Sequence, residues 1–595
     1  MMQKAKEFCS SKYFTWMLVA LGTLGILIYY GKNIIHMNSV WELVDEYGYL
    51  ANAAYLSGKD WGWFTNMYYG YGYSLLLVPV FWVAKTGMQV IKGAVLINTM
   101  CLIFSFWVQI ALMSKVFHKW NKNVIIFIAF VISFYPYLIS GNMKVTCECL
   151  LTFMIWLCGL LIYQAVTTEK WYYFAMAGVA LAYTFFVHTR AFVFITAFCL
   201  FVMVMLLQKK IGWKNLLILV VFAGAFFALG YLLKNHIIDA IYSHELIPSK
   251  ITQNVGETVQ KVEQASKVKV GNTLSAKYVI KKLLLTLKRF KPIHMYSFIC
   301  KSLYLFAGTA GMFHVGVYVT LKDFFVELKE TKRIGAENAL KMMYAIAACV
   351  MAFALTVNSP GHYDDASYFF YGRYYEYLLG PMIFIGLGYF AEKKVRIHEV
   401  IVLLLLLFVS FYFTHQMADY LETQEFYFDS NRIPAFAVIQ GRIHYYRAVV
   451  RYSALMALLV IVSAVIMNRM KKVRAFVPLL LLGIYLLNGH VITGTIIDMH
   501  GQDNHYYAIA TYLHTNCDQD EIYFVNSDKI VTTAYTGIQS LLIDQKLTVV
   551  DSSYLEAIES GEWFVTFKYN PFIEESDKAI TKVTGTEWFS IYCVE

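Results

Sequence analysis

Long apolar runs separated by short basic clusters set the pattern of this chain. The runs fall near 13–31, 93–114, 124–141, 148–166, 172–187, 191–208, 216–233, 299–320, 342–358, 375–391, 398–416, 447–468 and 475–494. Crossing roughly 30 Å of hydrocarbon takes about 17–25 apolar residues, so about thirteen membrane-spanning helices are predicted. One further apolar stretch, Tyr73 to Val83, is short, carries Pro79 and is flanked by Gly70, Gly72 and Gly87. It reads as an interfacial helix on the outer surface rather than a span. Met1–Lys12 is basic and leads into the apolar stretch Tyr13–Tyr30 without a small-residue cleavage pattern, so this stretch reads as a retained first span. His188-Thr189-Arg190 separates two short runs and reads either as a connection or as a break within one tilted helix.

Charge then orients the spans. Basic clusters stand at Lys115–Lys122, Lys209–Lys214, Lys322–Lys341, Lys393–Arg396 and Arg469–Arg474, with a weaker one at Lys170. Placed together with the amino terminus on the cytoplasmic side, they satisfy the positive-inside rule and let the spans alternate. The outer loops are then 32–92, 234–298, 359–374 and 417–446, large and polar or aromatic, and the carboxyl terminus lies outside. From about 500 onward no run is long enough to span. Glu521–Val525, Leu547–Asp551, Trp563–Lys568 and Phe589–Val594 read as strands, and Tyr507–His514, Thr533–Leu542 and Leu555–Ser560 as helices between them. The expected fold class is an α-helical polytopic membrane protein, residues 1–498, with a small extracytoplasmic α/β domain, residues 499–595. That domain shows no glycine-rich phosphate loop and reads as support or acceptor recognition.

Composition agrees. Of 595 residues, 58% are hydrophobic, 17% aromatic and only 15% charged, and mean hydropathy is +0.52. Soluble domains rarely pass about half apolar and carry about a quarter charged residues. A net charge of +10 and a pI near 8.8 invite a nucleic-acid reading. The cations sit between spans, however, where orientation accounts for them, and no nucleic-acid partner is expected. Cys101, Cys158, Cys199 and Cys349 fall in spans as small hydrophobes. Cys147 and Cys149 lack further metal-type ligands in sequence, and Cys517 and Cys593 share the outer domain, bridged or not.

The candidate chemistry lies in the outer loops. Asp45-Glu46 follows the first span directly, where ionisable groups are costly to desolvate and therefore mark function by default. A carboxylate there can deprotonate an acceptor hydroxyl, or simply solvate the loop. Glu148 begins the fourth span as another outer-edge acid. Arg190 and Arg373 offer planar cations suited to phosphate. Arg190 reads equally as a lipid-headgroup contact or an ion pair, and Arg373 as half of a pair with Glu376 one helical turn away. His362, Asp364 and Asp365 can bind sugar or a metal, though their spacing is no recognised metal signature. Lys277–Lys291 is basic and amphipathic, and Lys281, Lys282 and Arg289 within it suit a donor phosphate, an anionic acceptor or the membrane surface.

The order of these features resembles the GT-C superfamily of polytopic glycosyltransferases that use lipid-phosphate sugars. Within it the chain is most similar to bacterial protein mannosyltransferases and lipid A aminoarabinose transferases. Val44-Asp45-Glu46-Tyr47 opens the first outer loop, followed by Tyr68-Tyr69-Gly70-Tyr71-Gly72-Tyr73 and the short helix with Pro79. Gly178-Val179-Ala180-Leu181-Ala182 leads to His188-Thr189-Arg190, and Tyr371-Gly372-Arg373-Tyr374-Tyr375-Glu376 precedes an apolar run with Pro381. The similarity spans roughly residues 10–495, and Ala191 stands where related enzymes often carry proline.

That resemblance implies a sugar donor on a polyprenyl phosphate and transfer on the outer face of a bacterial plasma membrane. It makes Asp45 the base and Glu46 a neighbour that orients substrate or raises its pKa. Donor phosphate and sugar would be held by His188, Arg190, Arg373, Tyr374, Glu376, Lys281, Lys282 and Arg289. The acceptor class stays open among polysaccharide, teichoic acid, lipid and protein. No cofactor is certain, and a divalent cation is left open. Alternatives of other classes are a transporter, which calls for paired broken helices and an internal repeat not visible in the sequence, and a non-catalytic envelope-assembly protein.

Overall fold

The structure is a computed structural model that describes residues 11–40, 43–61, 69–242, 288, 290–358, 361–427, 429, 432–501, 504–526 and 532–595. Lys281, Lys282 and Arg289 lie outside the described residues.

Each predicted run carries a helix. Among the described residues nine helices are long and apolar enough to cross a membrane, or eleven if each of two bent pairs counts as one span. The chain is a multi-pass membrane protein in architecture. The expected spans at 124–141 and 299–320 are not continuous. Lys122–Ile132 and Pro136–Asn142 meet at 55°, and Pro292–Thr309 and Met312–Thr331 meet at 103°. Pro136 opens a new helix because its ring cannot continue the preceding one. At the second break Ala310 and Gly311 both take left-handed φ, 46° and 75°, which ends a right-handed helix. A side chain on Gly311 would stand 3.0 Å from Leu403 and 3.1 Å from Phe306. Broken helices are therefore present although the apolar pattern did not reveal them.

One other segment is shorter than expected. The run at 375–391 starts as a 3-10 turn, Glu376–Leu378, and its helix covers only Gly380–Glu392, nearly all buried. Trp171–Val187 ends at His188, whose extended backbone leads through the 3-10 turn Thr189–Ala191 into Phe192–Leu207. The separation expected there is real. Conversely, Trp213–Ile237 runs past the expected loop start at 234 and continues as a wider turn to Tyr242.

The loop expected outside after the first span is largely helical among its described residues. Leu43–Leu56 places Asp45 and Glu46 in its first turn, where the helix dipole favours negative charge. Tyr71–Val83, with Pro79 inside, is a 13-residue helix, about 20 Å long and too short to cross. It does not merely lie on the surface: Tyr71, Tyr73, Leu77 and Phe81 are buried, and Gly72 sits against the backbone of Phe186 and Val187.

The carboxyl-terminal part forms one five-stranded sheet: β1 Glu521–Asn526, β2 Lys546–Asp551, β3 Trp563–Phe567, β4 Ile580–Gly585 and β5 Phe589–Val594, in the order β2-β1-β3-β5-β4. β1 pairs parallel with β2 and β3, and β5 antiparallel with β3 and β4. β4 was not foreseen. Expected helices appear at His505–Asn516 and Thr532–Gln539, while the third is a 3-10 turn, Ser552–Ala557. This sheet unit docks on the segment that follows the first span. Trp61 Nε1 donates to Ile543 O at 3.0 Å, Gly87 N to Leu541 O at 3.3 Å, and Lys59 pairs with Asp544. The Tyr47 ring lies between Trp61 and Tyr535, 5.9 Å from each.

Candidate active site

Four of the sequence-predicted residues meet in a single chain of charges. Arg373 Nη1 lies 2.8 Å from Asp45 Oδ2, Arg373 Nε 3.0 Å from Glu148 Oε1, and Arg190 Nη2 3.0 Å from the same Glu148 oxygen. Side-chain exposure is 30% at Asp45 and 12% at Arg373, and only 3% at Glu148 and 5% at Arg190. The cluster thus runs from the surface into the protein, with the outer carboxylate open to solvent and the inner one enclosed. Two guanidinium groups balance two carboxylates, which is what lets charges sit this deep.

Local structure holds each member. Asp45 Oδ1 accepts from the Tyr69 hydroxyl at 2.7 Å, and Asn52 Nδ2 donates to the Tyr69 carbonyl at 3.0 Å. Gly48 makes the approach possible, since a Cβ there would stand 2.1 Å from the Tyr69 ring. Glu148 begins the helix Glu148–Thr168 and gains from its amino-terminal dipole. Arg190 lies over the rings of Tyr377 and Tyr374, 5.3 and 5.5 Å from their centroids. Tyr377 also donates its hydroxyl to the Arg190 carbonyl at 3.0 Å. His188 Nδ1 accepts from the Arg190 N–H at 3.1 Å. Burial, reinforced by the Arg190 charge, holds His188 well below the usual imidazole range, so the ring is neutral and free to accept. Gly372 N donates to Arg432 O at 2.9 Å, which fixes the loop that presents Arg373.

Other expected residues stand elsewhere. Glu46 is buried and turned away from Asp45, accepting from the backbone of Val145 at 2.7 Å. With Asn98, whose Nδ2 donates to Lys144 O at 2.7 Å, it shapes the loop leading to Glu148. Glu376 does not pair with Arg373. Its Oε1 accepts from Tyr135 at 2.8 Å and Tyr304 at 2.9 Å, deep in the helix bundle. The 3-10 turn at Glu376–Leu378 breaks the helical spacing on which the expected pair depended. His362 is exposed, with its ring 4.9 Å from Tyr368. Asp364 lines a separate cavity of about 320 Å³ with Glu425, Asp429 and Arg432. Asp365 is engaged by Arg432 at 2.7 Å and Ser367 at 2.6 Å. Among the described residues no three His, Cys, Asp or Glu side chains converge as a metal site. His362, Asp364 and Asp365, read from sequence as open to sugar or metal, do not form such a group. Cys517 and Cys593 are both thiols.

Tyr69, Asn98 and Tyr377 are the neighbours that sequence reasoning did not single out. Tyr69 carried a signal, the aromatic run just before the short helix with Pro79; Asn98 carried only that of a lone amide in an apolar helix.

No family model and no curated protein sequence matches the chain. Solved structures do match it. ArnT from Cupriavidus metallidurans bound to undecaprenyl phosphate is 10% identical, covers 98% of each chain and superposes with a TM-score of 0.52. The same protein in the apo state gives 10%, 98% of each chain and 0.50. The archaeal oligosaccharyltransferase AglB from Archaeoglobus fulgidus, in complex with an inhibitory peptide and a dolichol-phosphate, is 13% identical over 93% of this chain and 69% of its own, with a TM-score of 0.45. The fold is that of ArnT from Cupriavidus metallidurans.

Proposed function

We propose that this chain transfers a sugar from a polyprenyl-phosphate donor to a cell-envelope acceptor on the outer face of the membrane. The observation that carries this reading is the charge relay from solvent-facing Asp45 through Arg373 and Glu148 to Arg190. Displacing a lipid phosphate from an anomeric carbon needs a base for the incoming hydroxyl and cations for the departing anion. Both stand here within one cluster, and the solved ArnT of the same fold holds undecaprenyl phosphate.

In the proposed step the acceptor O–H gives its proton to the Asp45 carboxylate and its oxygen forms a bond to the anomeric carbon. The bond from that carbon to the phosphate oxygen breaks, and its electron pair leaves with the polyprenyl phosphate. Arg373 and Arg190 stabilise the growing negative charge, and Glu148 holds both guanidinium groups in place. Glu46 and His188 act by positioning the Glu148 loop and Arg190. Lys281, Lys282 and Arg289 are proposed as a basic outer segment that attracts anionic lipid. The sheet domain supports the Asp45 helix. A labelled lipid-linked sugar supplied to membranes containing the protein tests the reaction: label moves to envelope material if the proposal holds. Label that stays on the carrier, with a folded protein and a panel of lipid-linked sugars, overturns it.

A further inference from the structure

Beside the Glu148–Arg190 pair, the Tyr137 hydroxyl and Arg190 Nε are buried donors with no hydrogen-bond partner, while the Glu148 carboxylate has the Thr146 hydroxyl against it. Tyr137 is 2% exposed and stands within electrostatic reach of Arg190, Glu148 and Cys147. It belongs to Pro136–Asn142, the second half of the helix pair bent by 55°. Pro136 starts that new helix, so the bend changes the direction in which the next residue, Tyr137, projects. Its neighbour Tyr135 gives its hydroxyl to Glu376 at 2.8 Å, whereas the Tyr137 hydroxyl is left unsatisfied.

Buried polar atoms in native proteins are nearly always paired, and each exception calls for an explanation. Tyr137 O–H and Arg190 Nε–H are both donors and require an acceptor oxygen. The Thr146 hydroxyl already supplies a donor to the Glu148 carboxylate. A phosphate oxygen satisfies both open donors. Given a lipid-phosphate sugar as the donor, as proposed above, we propose that Tyr137 is a donor-binding residue, its hydroxyl and Arg190 Nε holding a phosphate oxygen. The donor would then occupy the inner end of the charge relay, leaving Asp45 at the outer end for the acceptor.

The test is binding of undecaprenyl phosphate to the purified full chain in detergent. Tyr137→Phe keeps the ring and deletes only the hydroxyl, and its Kd should rise about tenfold with the melting temperature close to wild type, as for loss of one charge-assisted hydrogen bond. An unchanged Kd, or a lowered melting temperature with unchanged Kd, overturns the assignment and leaves Tyr137 in a structural, water-filled network. Should Tyr137→Phe fold poorly, a map of the wild-type chain with undecaprenyl phosphate decides. Phosphate within hydrogen-bond distance of Tyr137 supports the proposal, and phosphate elsewhere overturns it. Binding weakened by Arg373→Ala but not by Tyr137→Phe removes Tyr137 alone. No carrier binding by the wild-type chain removes the lipid-phosphate reading itself.

Discussion

Arg373 holds Asp45 from across the membrane part of the chain, with Nη1 2.8 Å from Oδ2, while its Nε reaches Glu148 at 3.0 Å. One guanidinium thus fixes the distance between the solvent-facing carboxylate and the enclosed one. The planar fork makes this possible, since two of its nitrogens point to two different carboxylates.

Asp45→Asn removes the proposed base while keeping size and hydrogen bonding. Asparagine cannot take a proton at neutral pH, so sugar transfer should fall by about 10²–10⁴-fold, the usual contribution of a positioned base. Thermal stability in detergent should stay near wild type because Asp45 is the most exposed member of the cluster. Full activity in this variant would remove Asp45 from the mechanism.

Arg373→Ala should weaken donor use by roughly ten- to hundred-fold, the effect of losing a charge-assisted contact of about 1.5–3 kcal/mol. Arg373→Lys should recover little of it, because one ammonium cannot bridge Asp45 and Glu148 as the fork does. Donor titrations of transfer rate in the two variants check this. Lysine restoring wild-type kinetics would reduce Arg373 to a point charge.

Much of the candidate site was legible because it relied on charge. Asp45, Glu148, Arg190 and Arg373 are ionisable residues at the edges of apolar runs, where burial is expensive and chance retention rare. Glu46 and Glu376 carry the same signal yet serve the scaffold, Glu46 for Val145 and Glu376 for two tyrosines. Charge marks such positions but does not say which way a side chain turns. The bends at Pro136 and Gly311 escaped because apolar runs continue through them, and hydropathy is blind to direction. β4 escaped for the opposite reason. Ile580–Gly585 is an edge strand with two exposed polar positions, Thr581 and Lys582, at its centre and no clean alternation. Tyr137 is a neutral aromatic in a chain rich in them, so only its neighbours distinguish it.

Glu148→Gln leaves two buried guanidinium groups without their shared countercharge. Breaking a buried pair in this way usually costs about 3–5 kcal/mol, and here Arg190 and Glu148 are 5% and 3% exposed. The melting temperature should therefore fall clearly, unlike that of Asp45→Asn. Equal melting temperatures for the two variants would show that water reaches Glu148 and that the enclosure described here is incomplete.

Gly48→Ala separates helix stability from site geometry. Within Leu43–Leu56, alanine is favoured over glycine by about 1 kcal/mol in helix propensity. The added methyl, however, would stand 2.1 Å from the Tyr69 ring, so the ring must shift and its hydroxyl must leave Asp45 Oδ1. The expected outcome is a folded protein whose transfer rate drops about tenfold, the order of one lost hydrogen bond to a charged group. Tyr69→Phe should give a similar drop by removing the hydroxyl directly. The two changes act through one contact, so they should not add: in the Tyr69→Phe background, Gly48→Ala should cost activity little more. Additive losses, measured as transfer rates in the single and double variants, would show that Gly48 acts through something other than the Tyr69–Asp45 bond.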